Sequence, residues 1–77
     1  MEKQKLISEI EEAIKENSDV DQIDEQSSFM DDLEMSSMEI YAFIGDLEAK
    51  LHIKIPQRVL NRASTVGELA DEIIGIL

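Results

Sequence analysis

Apolar and polar residues alternate with the period of an amphipathic helix in three stretches of the chain. In the first stretch, apolar residues recur every three or four positions and mostly charged residues fill the opposite face; the apolar residues are Leu6, Ile7, Ile10, Ala13 and Ile14. This spacing predicts a helix over residues 3–16. Residues 17–35 follow without helical regularity. We expect them to form a long loop held down by four apolar anchors: Val20, Ile23, Phe29 and Leu33.

The second helix is predicted to begin after Ser36. The run Ser36-Ser37-Met38-Glu39 matches a capping box. In this motif the hydroxyl of the first serine accepts a hydrogen bond from the backbone N–H three residues on, and the glutamate carboxylate accepts one from the backbone N–H of that serine. Pro56 bounds the segment downstream. The apolar stripe predicted to face the core is Ile40, Ile44, Leu47 and Leu51.

Two further helical segments complete the pattern. A short helical turn is expected at Gln57 to Arg62, and Thr65-Val66-Gly67-Glu68 repeats the capping-box pattern at the start of a last helix. The predicted core face of that helix is Val66, Leu69, Ala70, Ile73 and Leu77. The predicted fold is all-α, a bundle of three main helices and one short helix in a single domain spanning residues 1–77.

Acidic residues dominate the composition. The 77 residues include 18 acidic and 7 basic side chains, which gives a net charge of −11. Residues 1–34 carry 12 acids and 3 bases, and residues 35–77 carry 6 acids and 4 bases. Nucleic-acid binding needs an excess of Lys and Arg, so we expect a basic protein surface as partner and no nucleic acid.

The length and the absence of long apolar runs point to a small binding or carrier module. A chain of this size buries only roughly 60% of its unfolded surface, which makes a deep catalytic cleft improbable. No apolar run approaches the roughly 20 residues of a membrane span, and the N-terminal segment lacks the uncharged core of a signal sequence. We therefore expect a cytoplasmic protein without a membrane span.

Missing residues exclude several kinds of site. The chain has no cysteine, so thiolate metal sites are not available. The acidic run of residues 19–30 does not match a calcium loop, since Asp24 and Met30 stand where glycine and a bidentate glutamate are required. The single histidine, His52, lies about four helical turns from Ser37, too far to serve as its base. We predict no metal site and no enzymatic activity.

Ser37 is the candidate site for a covalent group. With Ser36 as the cap, Ser37 is the first helical residue, where unpaired backbone N–H groups and the helix dipole stabilise negative charge. A phosphodiester on Ser37 would be well placed. From position alone, the simpler interpretation is that both serines only start the helix, because serine is a preferred cap.

The residues around Ser37 resemble the signature of acyl carrier proteins. The run Asp32-Leu33-Glu34-Met35-Ser36-Ser37-Met38-Glu39 is similar to the family's Asp-Leu-Gly-x-Asp-Ser-Leu-Asp, whose serine carries a 4'-phosphopantetheine arm. The similarity continues through Leu47-Glu48, Ile55-Pro56 and Thr65-Val66-Gly67-Glu68-Leu69, so it covers essentially the whole chain. By this resemblance Ser37 is the attachment site, and the bundle has the acyl-carrier-like form with a long loop between helices one and two.

The resemblance implies a carrier that does no chemistry of its own. A phosphopantetheinyl transferase would attach 4'-phosphopantetheine covalently from coenzyme A, and the terminal thiol of the arm would hold an acyl or aminoacyl group as a thioester. The other implied partners are the enzymes that load and process that group. We expect a monomer that shelters an apolar chain in a groove between helices. The candidate groove residues are Met38, Ile44, Leu47 and Ile73. For each of them, ordinary core packing is the simpler interpretation.

Three positions depart from the family signature. Glu34 replaces the usual glycine, Ser36 replaces the aspartate before the modified serine, and Met38 replaces the leucine after it. Ser36 can still cap the helix, but one negative charge beside the attachment site is lost. The alternative hypothesis is therefore an unmodified acidic helical module that binds a protein partner.

The exposed face of the second helix is the predicted surface for partner enzymes. At roughly 100° per residue, Met38, Tyr41 and Gly45 lie largely opposite the apolar stripe. The acids that complete this surface are Glu39, Asp46 and Glu48. Docking should be more apolar than is typical of carrier proteins, whose second helix is strongly acidic. Alternatively, Met38 and Tyr41 merely lie over loop residues such as Met30 and Met35.

Basic residues gather in and before the third helix: Lys50, Lys54, Arg58 and Arg62. In carriers of fatty acid synthesis, acids are common at the positions of Arg58 and Arg62. This patch would weaken binding to basic docking sites, so we favour a dedicated pathway; fatty acid, polyketide and nonribosomal biosynthesis all use such carriers. Alternatively, the arginines pair with the acidic loop of residues 19–34.

Overall fold

The computed structural model describes residues 1–77, and its regular structure is helical. The four helices are α1 (Lys3–Asn17), α2 (Ser37–Leu51), α3 (Gln57–Arg62) and α4 (Val66–Ile76). One isolated antiparallel bridge joins Ser28 to Thr65. This arrangement confirms the predicted all-α fold, with three main helices, one short helix and a long loop between the first two.

The helices pack around α1. α1 lies against both α2 and α4, and α3 packs against α4. No Cα atom of α2 lies within 8 Å of a Cα atom of α3. The cavities described below lie between these two helices. None of the four helices combines the length and the apolar character needed to cross a membrane.

The core is one cluster of 18 buried apolar residues. All five apolar residues predicted for the inner face of α1 belong to it. In α2, Ile44 and Leu47 are buried, while Ile40 and Leu51 are half-buried at the edge of the cluster. The predicted stripe of α2 omitted Phe43, whose side chain is fully buried. Because Phe43 follows Ile40 by three positions, helical spacing places both on one face.

Thr65 caps the start of α4 as predicted, but the cap differs from the expected box. The Thr65 hydroxyl accepts from the N–H of Glu68 at 3.2 Å. The Glu68 carboxylate accepts from the N–H of Ser64 at 2.8 Å, so it reaches one residue further back than the pattern requires. The predicted core position of Leu77 is wrong, because α4 ends at Ile76 and Leu77 is 58% exposed. The other four predicted core residues of α4 are buried.

The loop of residues 18–36 is held down by apolar side chains. Phe29 and Leu33 are buried, and Val20 and Ile23 are half-buried against the core. The rings of Phe29 and Phe43 have their centroids 5.6 Å apart. The predicted anchoring of the loop is therefore confirmed, and Phe29 anchors it against Phe43 of α2.

Backbone hydrogen bonds join the same loop to the turn before α4. The N–H of Phe29 donates to the carbonyl of Ser64 at 3.0 Å. The N–H of Gly67 donates to the carbonyl of Glu25 at 2.7 Å. A Cβ atom at Gly67 would lie 3.0 Å from that carbonyl oxygen, so a glycine here permits the close approach of the loop. These bonds fix the segment that leads into α2.

Candidate functional site

Ser36 and Ser37 have separate roles at the start of α2. The Ser36 hydroxyl accepts from the N–H of Glu39 at 3.2 Å, and the Glu39 carboxylate accepts from the N–H of Ser36 at 2.9 Å. The predicted capping box is thus confirmed. Ser37 is the first helical residue, it is exposed, and its hydroxyl takes no part in the cap.

The segment before Ser37 is braced by local hydrogen bonds. The Asp32 carboxylate accepts from the N–H of Ser28, and the Ser28 hydroxyl accepts from the N–H of Asp32, both at 2.9 Å. The N–H of Met35 donates to the carbonyl of Phe29, and the Met35 side chain is buried. Glu34 stands where the signature has glycine, and it has φ 50°, a left-handed conformation that favours glycine.

The helix terminus offers hydrogen-bond donors to an anion on Ser37. The N–H groups of Ser37 and Met38 have no partner within α2, because α-helical bonds reach back four residues. The positive end of the helix dipole lies at the same place. An exposed hydroxyl beside free N–H groups fits a phosphodiester attached to Ser37. Ser36 in place of aspartate also removes one competing negative charge.

Two adjoining cavities lie beside Ser37. The smaller, of about 110 Å³, is lined by Ser37, Ile40, Tyr41, Gln57, Leu60 and Asn61. The larger, of about 410 Å³, shares Ile40, Leu60 and Asn61 with it and extends past the Phe29 and Phe43 side chains. Its remaining lining residues are Ser28, Met30, Asp31, Ala63 and Ser64. The two cavities therefore share part of their lining, which comes from α2 and α3.

The predicted groove residues do not line these cavities. Ile44, Leu47 and Ile73 are buried in the core, and Met38 is on the outer surface, 83% exposed. The residues that sequence reasoning missed come from α3 and from the loop; they are Ser28, Phe29, Leu60 and Asn61. The helical period of the sequence predicts which face of α2 is buried. It does not predict the gap between α2 and α3, because that gap depends on how the loop and α4 position α3.

The predicted exposure of the outer face of α2 is confirmed. Met38 is 83% exposed and Tyr41 is 56% exposed, and Gly45 also lies at the surface. Met38 is therefore not covered by the loop. Met35 is buried, and Met30 is itself 64% exposed. Of these surface residues, Tyr41 shares the smaller cavity with Ser37.

The three acids of α2 each have a hydrogen-bond donor within the chain. Glu39 belongs to the cap of its own helix. Asp46 accepts from the side-chain amide of Asn17 at 2.7 Å, and Glu48 accepts from the N–H of Ile55 at 2.7 Å. Glu39 and Glu48 are half-buried. These carboxylates therefore contribute to folding as well as to surface charge.

The basic residues near α3 do not pair with the acidic loop. Lys50 lies 2.9 Å from Glu16 and 3.4 Å from Glu12, both in α1. Arg62 lies 3.8 Å from Glu72 in α4. The alternative that the arginines pair with residues 19–34 is wrong for Arg62, whose ion pair is with α4. Because Lys50 and Arg62 are paired with acids, only Arg58 and Lys54 of the predicted basic patch form no ion pair.

Comparison with known proteins agrees with this geometry. Residues 4–73 match the profile of a family described as "Phosphopantetheine attachment site". The chain is 34% identical over 71 residues to an acyl carrier protein of Exiguobacterium sp. (strain ATCC BAA-1283 / AT1b), with 90% of each chain covered. It is 34% identical over 68 residues to an acyl carrier protein of Brachyspira hyodysenteriae, covering 84% of this chain and 87% of that protein.

A third relative gives the same result. An acyl carrier protein of Lactobacillus acidophilus (strain ATCC 700396 / NCK56 / N2 / NCFM) is 31% identical over 70 residues, with 88% of each chain covered. No solved structure matches the chain significantly.

Proposed function

Because the chain belongs to the acyl carrier protein family, we propose that Ser37 is the residue on which it carries its covalently bound 4'-phosphopantetheine. When bound, this arm supplies a thiol that holds an acyl or aminoacyl group as a thioester. The chain itself has no cysteine, so no protein thiol competes for the group. Ser37 presents the attachment point, and α2 fixes the direction from which enzymes reach it.

The observation that carries this proposal is that the Ser36 hydroxyl caps α2 while the Ser37 hydroxyl takes no part in the cap. Five of the seven serines use their hydroxyl in a hydrogen bond within the chain; they are Ser8, Ser18, Ser27, Ser28 and Ser36. Ser37 and Ser64 are the other two. Ser64 lies in the turn before α4, where its own N–H is already bonded to Glu68. Only Ser37 combines an uncommitted hydroxyl with the free N–H groups of a long helix.

The proposed role is that of a carrier and not of an enzyme. A nucleophilic serine needs a base within hydrogen-bond reach, and His52 is the only histidine. Ser37 and His52 lie at opposite ends of α2, about 22 Å apart at 1.5 Å per residue. The Ser37 hydroxyl would therefore depend on an external transferase for its activation. The enzymes that load and process the carried group are further proposed partners.

The pathway we propose is a dedicated one. Arg58 is exposed and forms no ion pair, so it presents a positive charge to any approaching surface. Such a charge opposes a docking site built from Lys and Arg. The cytoplasmic location and the monomeric state expected from the sequence stay predictions.

A second candidate function is binding of a protein partner without any prosthetic group. The high exposure of Met38 and Tyr41 favours it, because large exposed apolar side chains beside one another mark contact surfaces. This alternative differs from the first in one measurable respect. Only a carrier gains covalent mass on Ser37.

The decisive experiment is intact-mass measurement after incubation with coenzyme A and a broad-specificity phosphopantetheinyl transferase. In that reaction an Oγ–phosphorus bond forms on Ser37, the diphosphate bond of coenzyme A breaks, and adenosine 3',5'-bisphosphate and the hydroxyl proton are released. We expect a gain of one phosphopantetheinyl group in the parent and in Ser64→Ala, and none in Ser37→Ala. An unmodified parent with several such transferases would favour the second candidate function, and a modified Ser37→Ala would mean that another residue is the attachment site.

A further inference from the structure

The larger of the two cavities beside Ser37 has an apolar part and a polar part. Six of its ten lining residues are hydrophobic, and they include the neighbouring rings of Phe29 and Phe43, which are both buried. The other four lining residues are Ser28, Asp31, Asn61 and Ser64. Of these four, only Ser28 is half-buried, and the others are exposed. The cavity is therefore apolar in its interior and polar at its rim.

Asp31 is the single charged residue that lines either cavity. The carboxylate of its neighbour Asp32 is occupied, since it accepts from the N–H of Ser28 at 2.9 Å. The Asp31 carboxylate takes part in none of the ion pairs of the chain and accepts no hydrogen bond from it. Any occupant of the larger cavity therefore meets one negative charge that no group of the protein neutralises.

Two neutral side chains at the rim also have hydrogen-bonding groups to spare. The Oδ1 atom of Asn61 accepts from the side-chain amide of Gln57 at 3.3 Å, which leaves the N–H groups of the Asn61 amide free. Ser64 donates its backbone N–H to Glu68, but its hydroxyl has no partner. A purely alkyl occupant that covered this rim would remove these groups from water without replacing their hydrogen bonds, which is unfavourable. The rim therefore fits an occupant that ends in a polar group.

On the basis of the proposed function, we infer that the group carried on Ser37 ends in an amine and that Asp31 selects it. An ammonium has the charge opposite to that of the Asp31 carboxylate, and its three N–H donors suit both a carboxylate and a hydroxyl such as that of Ser64. The carbon chain that precedes the amine would lie against Phe29 and Phe43. The net charge of −11 adds a long-range attraction for cations. The cargo class is thus an aminoacyl group with its amine at the far end.

The competing cargo is a group that ends in a carboxylate, because α3 carries Arg58 and Arg62. Neither arginine lines the cavities. Arg62 lies 3.8 Å from Glu72 of α4 instead. A carboxylate in the larger cavity would meet Asp31 with no cation among the lining residues, and like charges at short range repel each other. The order of preference expected from the lining is an amine, then an alkyl group, then a carboxylate.

The test compares three cargoes of matched chain length that differ only in the terminal group: ω-aminohexanoyl, heptanoyl and ω-carboxyhexanoyl. Each is supplied as the amide analogue of its coenzyme A thioester, which neither hydrolyses nor cyclises, and a broad-specificity phosphopantetheinyl transferase loads it with the arm onto Ser37. Intact mass verifies complete loading, and thermal unfolding is followed at about 0.01 M salt, where charges are weakly screened. A group bound only by the folded chain raises Tm. We expect the amine-ended cargo to give a Tm about 2–4 °C above that of heptanoyl, and the carboxylate-ended cargo to give the lowest Tm.

The matched variants are Asp31→Asn and Asp21→Asn. Both remove one acid from the loop, and Asp21 is exposed but lines neither cavity. We expect Asp31→Asn to reduce the Tm advantage of the amine over heptanoyl to less than about 1 °C, and Asp21→Asn to retain it. An advantage that is absent in the parent, or equal in the two variants, would overturn the inference, while complete loading would leave the proposed function intact. If the parent is loaded neither with these cargoes nor from coenzyme A itself, the proposed function and the inference fail together.

Discussion

Ser36 and Glu39 cap each other, with each side chain bonded to the backbone N–H of the other residue. This reciprocal arrangement satisfies the two donors without using Ser37. Ser37, the residue proposed to carry the arm, therefore takes no part in capping the helix. Ser36, the residue before it, forms the cap instead.

This division predicts unequal effects on stability for two neighbouring alanine substitutions. Ser36→Ala removes the cap and should lower the free energy of unfolding by about 1 kcal/mol. Ser37→Ala alters an exposed side chain and should change it by less than about 0.5 kcal/mol. Urea denaturation of both variants and the parent measures the difference. Equal losses in the two variants would show that the cap is shared and that the Ser37 hydroxyl is not free.

Local features of this fold could be predicted from sequence because they depend on neighbours along the chain. The Ser36 cap, the short α3 and the inner face of α1 follow from spacing of a few residues. The burial of Phe43 could also have been predicted from helical spacing, since Phe43 shares the helical face of Ile40. Leu77 was predicted one residue beyond the end of α4, where the helical period no longer positions a side chain.

The cavities beside Ser37 could not be predicted in this way. Their walls combine Phe29 from the loop, Phe43 from α2 and Leu60 from α3. Those residues meet because hydrogen bonds join the loop to the turn before α4, and no pattern in the sequence specifies that register. The ion pairs were missed for the same reason, as Arg62 finds Glu72 on α4 rather than an acid in the loop.

The left-handed conformation of Glu34 predicts a stabilising substitution. A non-glycine residue at φ 50° carries roughly 1–2 kcal/mol of strain. Glycine relieves it but adds about 0.5–1 kcal/mol of chain entropy to the unfolded state, so Glu34→Gly should gain about 0.5 kcal/mol. Asp31→Gly is the control, because Asp31 does not have positive φ and its variant should lose stability. A loss in Glu34→Gly as large as that of the control would contradict this account of the signature position.

Gly67 and Gly45 predict opposite signs for the same change. A Cβ at Gly67 would press on the Glu25 carbonyl oxygen, which is hydrogen-bonded to the Gly67 N–H at 2.7 Å and cannot easily move. Gly67→Ala should therefore cost about 1 kcal/mol. Gly45 lies in open space in the middle of α2, so Gly45→Ala should gain about 0.5–1 kcal/mol from helix propensity. Thermal and urea unfolding of both variants checks the signs of the two changes in stability. A stabilised Gly67→Ala would mean that the loop containing Glu25 moves to make room for the added Cβ.

The attachment of α2 to α1 through Lys50 predicts a pH dependence at alkaline pH. The hydrogen bond that Lys50 donates to Glu16 raises the pKa of its ammonium above the usual 10.5, and Glu12 adds to the effect against partial desolvation. Because the pKa of Lys50 is raised in the folded state, the contribution of Lys50 to stability is complete below pH 10.5. That contribution is lost as the pH rises through the folded pKa.

The comparison that isolates this effect is between the parent and Lys50→Met. The difference in their free energies of unfolding should stay constant from neutral pH to about pH 10 and shrink above it, because the unfolded chain releases the Lys50 proton first. Lys54→Met is the control for the removal of one lysine charge, since Lys54 forms no ion pair. Urea denaturation at closely spaced pH values provides the measurement. A Lys50→Met difference that stays flat across this window would show that the Glu16 bond does not persist in solution.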